Sequence, residues 1–427
     1  MFKSVLSIRG GPPVAKSEDW PQWPRSFKST EVAVTGALRS GRWSISGFRR
    51  HPGANLERQF ALDFAAFHDT KHAVPTASGT ASLIIALQAL EIQPGDEVIV
   101  PGLVWVAPAV AVLAVNAVPV LVDVDPHTLC IDPVAVDRAI TPRTRAIIVV
   151  HLYCSMADLD ALQAIANGCG IPLIEDCAQI HGSVWNDRRA GTFGSVGVFS
   201  LHEGKPLACG EGGIAITNDD ELASRMERLR ANGRSYRPFT ETNTFDLEEV
   251  GGVLGTNYAM SELQAALVLD SLSRLDAEND LRAANAARLD RSLARLPGIT
   301  PITRPAPVKR QTYYHYALRV DRNMLADRSI FSICRALQSE LSFWIHPPYV
   351  PLNRNLLYQP QSQPHRWWDD HYRSRIDPCQ FDLPAAEHAH QNTLVFHHSI
   401  LLAEDAGMAK IEEAFAKVLS RAEEIPK

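Results

Sequence analysis

The stretch RAIIVVHLYCSMADLDALQAIANGCGIPLIEDC, residues 145–177, decides the fold. It opens on a continuous β-branched run, RAIIVVH (145–151), and passes through DLDALQAIANGC (158–169), a helical stretch. It closes on a second short apolar run, IPLIEDC (171–177). Strand, helix and strand in that order make a βαβ unit, which places its two strands parallel in one sheet. The unbroken apolarity of IIVV is that of a strand covered on both faces.

The same alternation extends in both directions. DEVIVP (96–101), VPVLVDVD (118–125), VGVFS (196–200) and GIAITND (213–219) read as further strands, and TASLIIALQAL (80–90) as a helix. The apolar run at 104–124 is long enough to cross a bilayer. Pro108, Asn116 and Pro119 interrupt it, so it reads as a helix followed by a buried strand. After about residue 255 the pattern changes. Apolar positions from Met260 to Leu275, opened by a Ser261/Gln264 capping box, predict one long helix linking two domains. Beyond residue 300, YYHYALRV and SFWIHPP read as strands around the helix SIFSICRALQSE, with a last helix over 405–422. The predicted organisation is an N-terminal arm and large α/β domain over 1–255, then a linking helix and small α+β domain over 256–427. The segment 360–380, rich in Gln, Trp, His and Arg, reads as an insertion or loop.

Composition narrows the function classes. The 427 residues are 46% hydrophobic and 21% charged with a formal net charge of −6. That is ordinary for a soluble enzyme and gives no electrostatic reason to expect nucleic acid or a membrane surface. Seven scattered cysteines without a C-x-x-C pair point to reduced thiols in the cytoplasm and to no metal site. The N-terminus MFKSVLSIRGGPP lacks the apolar core of a secretory signal.

In an open parallel sheet, ligands bind beyond the carboxyl ends of the strands. Four groups of residues gather there. Asp176 ends IPLIED, with Gln179 and His181 just after it. Ser78, Gly79, Thr80 and Ala81 form a small-residue turn before a helix, whose free N–H groups suit an anion. Trp105 follows one strand end, and Ser200 ends VGVFS five residues before Lys205 in FSLHEGKPLACGEGG (199–213). Taken singly, each has an ordinary structural reading: a helix cap, a core tryptophan, a solvated lysine. Together they supply what pyridoxal phosphate requires: a lysine for its Schiff base, an acid for its pyridine nitrogen, a phosphate cup and a flat side chain against its ring. A Walker loop is excluded, because Phe199 and Pro206 stand where glycine and Ser/Thr are needed, and no G-x-G-x-x-G follows the first strand.

EDCAQIHG, GTFGSVGVFSLHEGKPLACGEGGIAITND and GTNYAMSELQAA resemble the DegT/DnrJ/EryC1/StrS sugar aminotransferases, which are fold type I pyridoxal phosphate enzymes. WPQWP (20–24), SGRWSISG (40–47), GSVWNDRRAGT (182–192), QTYYHYALRV, HPPYVP (346–351) and FHHSILL (396–402) further resemble the L-glutamine:scyllo-inosose and 2-deoxy-scyllo-inosose branch of aminoglycoside pathways. The resemblance implies a homodimer with shared active sites. It makes Lys205 the Schiff-base lysine and proton shuttle, pairs Asp176 with the pyridine nitrogen and sets Gln179 against the phenolic oxygen. It gives Gly79, Thr80 and Ser200 the phosphate, stacks Trp105 on the ring and brings Asn257 from the partner subunit. L-glutamine or L-glutamate is the implied donor and a keto-cyclitol the acceptor, with Tyr153, His202, His315, His346 and His398 as substrate candidates. Ala259 stands where sugar-nucleotide relatives often carry arginine, which favours a free or simply phosphorylated cyclitol. Three rival readings are a dehydratase of this fold, an aminohydroxybenzoate-synthase-like enzyme and a non-catalytic regulatory or scaffold member of the fold; the dehydratases carry histidine at the lysine position, so Lys205 argues against the first. The intact set Lys205, Asp176, Gln179 and Ser200 argues against the non-catalytic reading.

Overall fold

Seven strands build the main sheet of the computed structural model, which describes residues 5–46, 55–236, 247–362 and 369–426. In chain order they are β1 (His72–Thr76), β2 (Glu97–Pro101), β3 (Val118–Val122), β4 (Thr144–Val150), β5 (Leu173–Asp176), β6 (Val196–Ser200) and β7 (Gly213–Thr217). Across the sheet they lie in the order β1-β7-β6-β5-β4-β2-β3. The run from β3 to β6 is parallel throughout. β7 alone is reversed, paired antiparallel to both β6 and β1. The expected mainly parallel α/β sheet is thus present, in the arrangement of fold type I. β1 is an additional strand that the apolar runs do not announce, since His72, Pro75 and Thr76 dilute its pattern.

Successive strand residues point to opposite faces, and the core divides accordingly. Val98, Val100, Ile148, Val150 and Val198 pack with Leu83, Ile85 and Val112 of the helices on one side. Ile99, Ile147, Val149 and Phe199 join Phe60, Phe64, Leu159 and Leu162 on the other. Several helices around the sheet start where a side chain takes free N–H groups. Ser78 caps Gly79–Ala89, Asp158 caps Leu159–Cys169 and Asp219 caps Asp220–Arg230. Ser78 and Asp158 lie past the carboxyl ends of the parallel strands, the edge at which Asp176 and Ser200 also end their strands, whereas Asp219 follows the reversed β7 at the opposite edge.

The predicted linking helix is two helices, Glu262–Leu272 and Leu275–Leu293. The apolar periodicity runs straight through the break and conceals it. At the junction the Ser271 and Ser273 hydroxyls donate to the carbonyls of Leu267 and Asp270, 3.0 and 2.7 Å away, and Arg274 turns back to the Asp270 carboxylate at 2.8 Å. Such side-chain bonds compete with the helical ladder. The Ser261/Gln264 capping box is present.

The later part of the chain holds a four-stranded antiparallel sheet of β8 (Ile299–Pro301), β9 (His315–Val320), β10 (Ile345–His346) and β11 (Thr393–His397), ordered β8-β9-β11-β10. Helices Ile330–Leu341 and Asp405–Ser420 accompany it. SFWIHPP contributes only two strand residues, because two prolines follow His346. Within 360–380, residues 363–368 lie outside the described residues; the remainder includes a helix, Asp370–Arg375, whose Tyr372 hydroxyl donates to the Ala117 carbonyl. Among the described residues no helix is long and apolar enough to cross a membrane.

Candidate active site

A cavity of about 440 Å³ opens at the carboxyl ends of the parallel strands. Its floor is made by the ends of β5 and β6 and by the start of the helix that follows β1. Ser78, Gly79, Thr80, Trp105, Asp176, Gln179, Ser200 and Lys205 all line it, as do His202, His315 and His346.

Two glycines allow the floor to close up. A Cβ on Gly79 would lie 2.9 Å from Ser200 Cβ, and one on Gly213 would lie 2.4 Å from the Ser78 carbonyl group. The helix start is therefore pressed against the ends of β6 and β7. Ser78 Oγ accepts the Ala81 N–H at 3.1 Å, while the N–H groups of Gly79 and Thr80 have no acceptor within their own helix. With Ser200 alongside, this is a compact set of donors at the positive end of a helix dipole.

Asp176 is buried, and its Oδ1 accepts the Ala178 N–H at 3.0 Å. Removal from water pushes its carboxyl above the usual range, opposed by that hydrogen bond and by the nearby Lys205 and His151. Desolvation draws the Lys205 amine down to about 8, against the pull of Asp176. Its Nζ lies 3.6 Å from the centroid of the Tyr314 ring. An amine and a carboxylate thus share one cavity, and the amine releases its proton far more readily than a solvated lysine.

The opposite wall comes from the later sheet and the loop after it: Tyr314, His315, Trp344, His346 and Tyr349. Burial holds the His315 and His346 imidazoles below the ordinary histidine range and raises the Tyr314 phenol to about 12. The wall therefore carries no formal charge near neutrality. Trp344 stacks on His346 with ring centroids 4.0 Å apart. Trp105, 49% exposed, leans toward Tyr349 at 5.8 Å between rings. Tyr314, Trp344 and Tyr349 are cavity residues that motif reading does not single out, since an aromatic beside a β-branched run reads as core.

Three predicted residues fall elsewhere. Tyr153 is fully buried behind the cavity, and its hydroxyl accepts the Tyr349 N–H at 2.8 Å. Its backbone is left-handed, φ 55°, a costly state for a bulky side chain. Its own N–H donates to Gln179 Oε1 at 3.0 Å, which ties that turn to the site. His398 lies behind the Lys205 turn instead of on the wall, with Nε2 donating to the Gly204 carbonyl at 3.1 Å. Asn257 is exposed, bridged through its backbone to Ala231, and lines no part of the cavity within this chain.

One buried cluster lies beneath the floor. His151, Glu175 and Cys177 place ligand-type atoms within 4.8 Å of one another. The Glu175 oxygens already accept the N–H groups of Gly191, Phe193 and Gly194, and His151 Nδ1 accepts that of Ala157. The cluster braces the end of β5 through hydrogen bonds.

The model of the DegT/DnrJ/EryC1/StrS aminotransferase family matches residues 28–367 of the chain. The protein belongs to this family. Over 97% of both chains the aminotransferase is 46% identical to an L-glutamine:2-deoxy-scyllo-inosose aminotransferase of Streptoalloteichus tenebrarius. Over 99% of both it is 45% identical to an L-glutamine:scyllo-inosose aminotransferase of Streptomyces griseus. Among solved structures it resembles 3-amino-5-hydroxybenzoic acid synthase, with a TM-score of 0.77 and 28% identity, covering 94% of this chain and 99% of that one.

The cofactor of the aminotransferase is pyridoxal 5′-phosphate. The residues present fit it. The close approach of Gly79 to Ser200 leaves a cradle at a helix N-terminus for the phosphate, Asp176 is a buried carboxylate for the pyridine nitrogen, and Lys205 is an amine held ready to lose its proton.

Proposed function

We propose that this aminotransferase moves the amino group of L-glutamine to a keto-cyclitol of the inosose type, in the biosynthesis of an aminocyclitol. The observation that carries the reading is the end-to-end identity of 46% with an enzyme named for that donor and that class of acceptor. The character of the cavity agrees with it. Among the described residues that line the cavity, Lys205 is the only lysine or arginine. An uncharged polyol ring suits such a wall better than a nucleotide diphosphate, which needs cationic partners.

In this reading Lys205 would hold the cofactor and, as a free amine, would carry a proton to and from the donor's α-carbon. When bound, the cofactor supplies the electron sink for the pair left on that carbon. Asp176 faces the pyridine nitrogen and keeps a proton there; the low-dielectric floor makes that pairing strong. Ser78, Gly79, Thr80 and Ser200 would hold the phosphate, Trp105 would cover the ring, and Gln179 would meet the phenolic oxygen. Asn257 reaches the phosphate of the other active site in a homodimer, which accounts for its exposed place here. The division into a large domain over 1–255 and a small one over 256–427 places the floor in the first and most of the wall in the second. His315, His346 and Tyr349 orient the hydroxyls of the acceptor, with His202 at the rim beside Glu211, 3.8 Å away.

The test is spectroscopic. A visible absorption band of the cofactor-loaded enzyme is expected to disappear on addition of L-glutamine and return on addition of scyllo-inosose or its 2-deoxy analogue. Loss of the band with glutamine but no return with either ketone would overturn the acceptor assignment. An aromatic product from the ketone would transfer the enzyme to the aminohydroxybenzoate type of chemistry.

A further inference from the structure

Two motifs of the sequence, WPQWP near the start of the chain and FHHSILL near its end, take no part in lining the cavity. They meet on the far side of the Lys205 turn. Trp23 donates its indole Nε1–H to the Glu203 carbonyl at 2.8 Å. His397 Nε2 donates to the Gly204 carbonyl at 2.8 Å, and His398 Nε2 donates to the same oxygen at 3.1 Å. A carbonyl oxygen has two lone pairs, so this one is fully used.

The protonation of both imidazoles follows from their other nitrogens. His397 Nδ1 accepts the Ser399 N–H at 3.4 Å, and His398 Nδ1 accepts Arg282 Nε–H at 3.1 Å. Each ring therefore carries its proton on Nε2, as donation to Gly204 requires. Arg282 is itself fixed by Glu278 at 2.9 Å and Asn279 at 3.1 Å, and the Trp23 ring stands edge-on to His398 at 4.4 Å.

The Gly204 carbonyl and the Lys205 N–H belong to one planar amide. That N–H donates to the His202 carbonyl at 2.8 Å. Three hydrogen bonds thus set the orientation of the single plane from which the Lys205 Cα departs. Turning the plane to re-aim the side chain breaks all three.

We infer that Trp23, His397 and His398 are positioning residues that aim Lys205 without touching substrate or cofactor, the two histidines acting through the 204–205 amide and Trp23 through the adjoining 203–204 amide and its contact with the His398 ring. The inference rests on the proposed role of Lys205 as proton carrier. Proton transfer needs the base within hydrogen-bond reach of its carbon, and a misplacement of about 1 Å costs on the order of 100-fold in rate. The clamp should therefore govern the rate of the chemical step and leave donor binding alone.

The experiment uses cofactor-loaded Trp23→Phe, His397→Leu and His397→Gln enzymes, with Lys205→Ala as control, in single turnovers with L-glutamine and its α-deuterated form. Phe keeps the ring of Trp23 and removes its N–H; Gln keeps a donor near the place of Nε2. We expect the rate constant to fall about tenfold or more in Trp23→Phe and His397→Leu, with a larger deuterium effect, and to recover in His397→Gln. Cofactor content and apparent Kd for glutamine should stay within about twofold, which is the scale below a single weak hydrogen bond. Rates and isotope effects unchanged in Trp23→Phe and His397→Leu, with Lys205→Ala inactive, would overturn the clamp and leave the proton-carrier reading standing. An active Lys205→Ala enzyme would instead remove the reading on which the clamp depends. Should His397→Leu fail to fold, Trp23→Phe decides by the same criteria.

Discussion

The two sides of the cavity are built from different materials. The floor, made by strand ends of the seven-stranded sheet, holds the lysine, the carboxylate and a helix N-terminus. The wall, made by β9, β10 and the loop after β10, presents imidazoles and aromatic rings that burial keeps uncharged. The difference teaches a division of labour: charge that must act on the cofactor is fixed by the main sheet, while the facing wall offers groups that only donate, accept and stack.

Substitutions should respect that division, and the largest effect belongs to the floor. Lys205→Ala is expected to lower turnover by at least about 10⁴-fold, the upper range of a general acid–base contribution, measured as glutamine-dependent amination of scyllo-inosose. Activity near that of the parent would erase the distinction between floor and wall.

Asp176→Asn should come next, with a loss on the order of 100-fold in kcat from removal of one buried electrostatic partner. The same variant sharpens the account of Lys205. With its amine drawn down to about 8, the cofactor-free enzyme should capture pyridoxal phosphate faster as pH rises toward 8 and then level off, well below the 10.5 of an ordinary lysine. The neutral amine is the nucleophile, and the lowered value means it is deprotonated earlier. Asp176 holds that value up, so Asp176→Asn should move the midpoint to lower pH; a move upward would show that the two groups do not interact as described.

Gly79→Ala adds a methyl 2.9 Å from Ser200 Cβ. It should weaken cofactor retention by about tenfold, equivalent to ~1.4 kcal/mol of overpacking, read by titrating the apo-enzyme with pyridoxal phosphate. The smallest effect belongs to the wall. Tyr349→Phe removes one neutral hydroxyl and should raise the KM for the ketone about two- to tenfold, with the glutamine half-reaction unchanged. A comparable loss in both half-reactions would show that Tyr349 serves the floor as well.

How far each side is legible in sequence follows from the same contrast. Asp176 and Ser200 can be found because each ends a strand that announces itself as an apolar run, and the Ser78–Thr80 turn because it opens the apolar helix TASLIIALQAL. Lys205 stands out for the glycines around it. The wall has no such marker: Tyr314 and Tyr349 are aromatics beside β-branched or proline-rich runs, a pattern shared with any packed sheet. His398 was expected on the wall from its residue type alone, yet the position of an imidazole relative to a turn 194 residues away is set only by tertiary packing. The break at Ser273–Arg274 escapes for another reason, since hydroxyls that bond back to helix carbonyls leave the apolar periodicity intact.

One feature of the sheet has a consequence for how the enzyme is made. Because β7 runs antiparallel to β6, Lys205 lies in a return loop instead of a crossover into a helix, and no helix follows to occupy its carbonyl oxygens. The Glu203 and Gly204 carbonyls take their donors from Trp23 and from His397 and His398, so the turn draws on both ends of the chain. During synthesis the main sheet is complete by residue 217, but the lysine cannot be locked until about 180 further residues have left the ribosome, some ten to forty seconds later at ordinary elongation rates. On the clamp inferred above, a chain that has not yet reached His397 and His398 holds Lys205 without its aim.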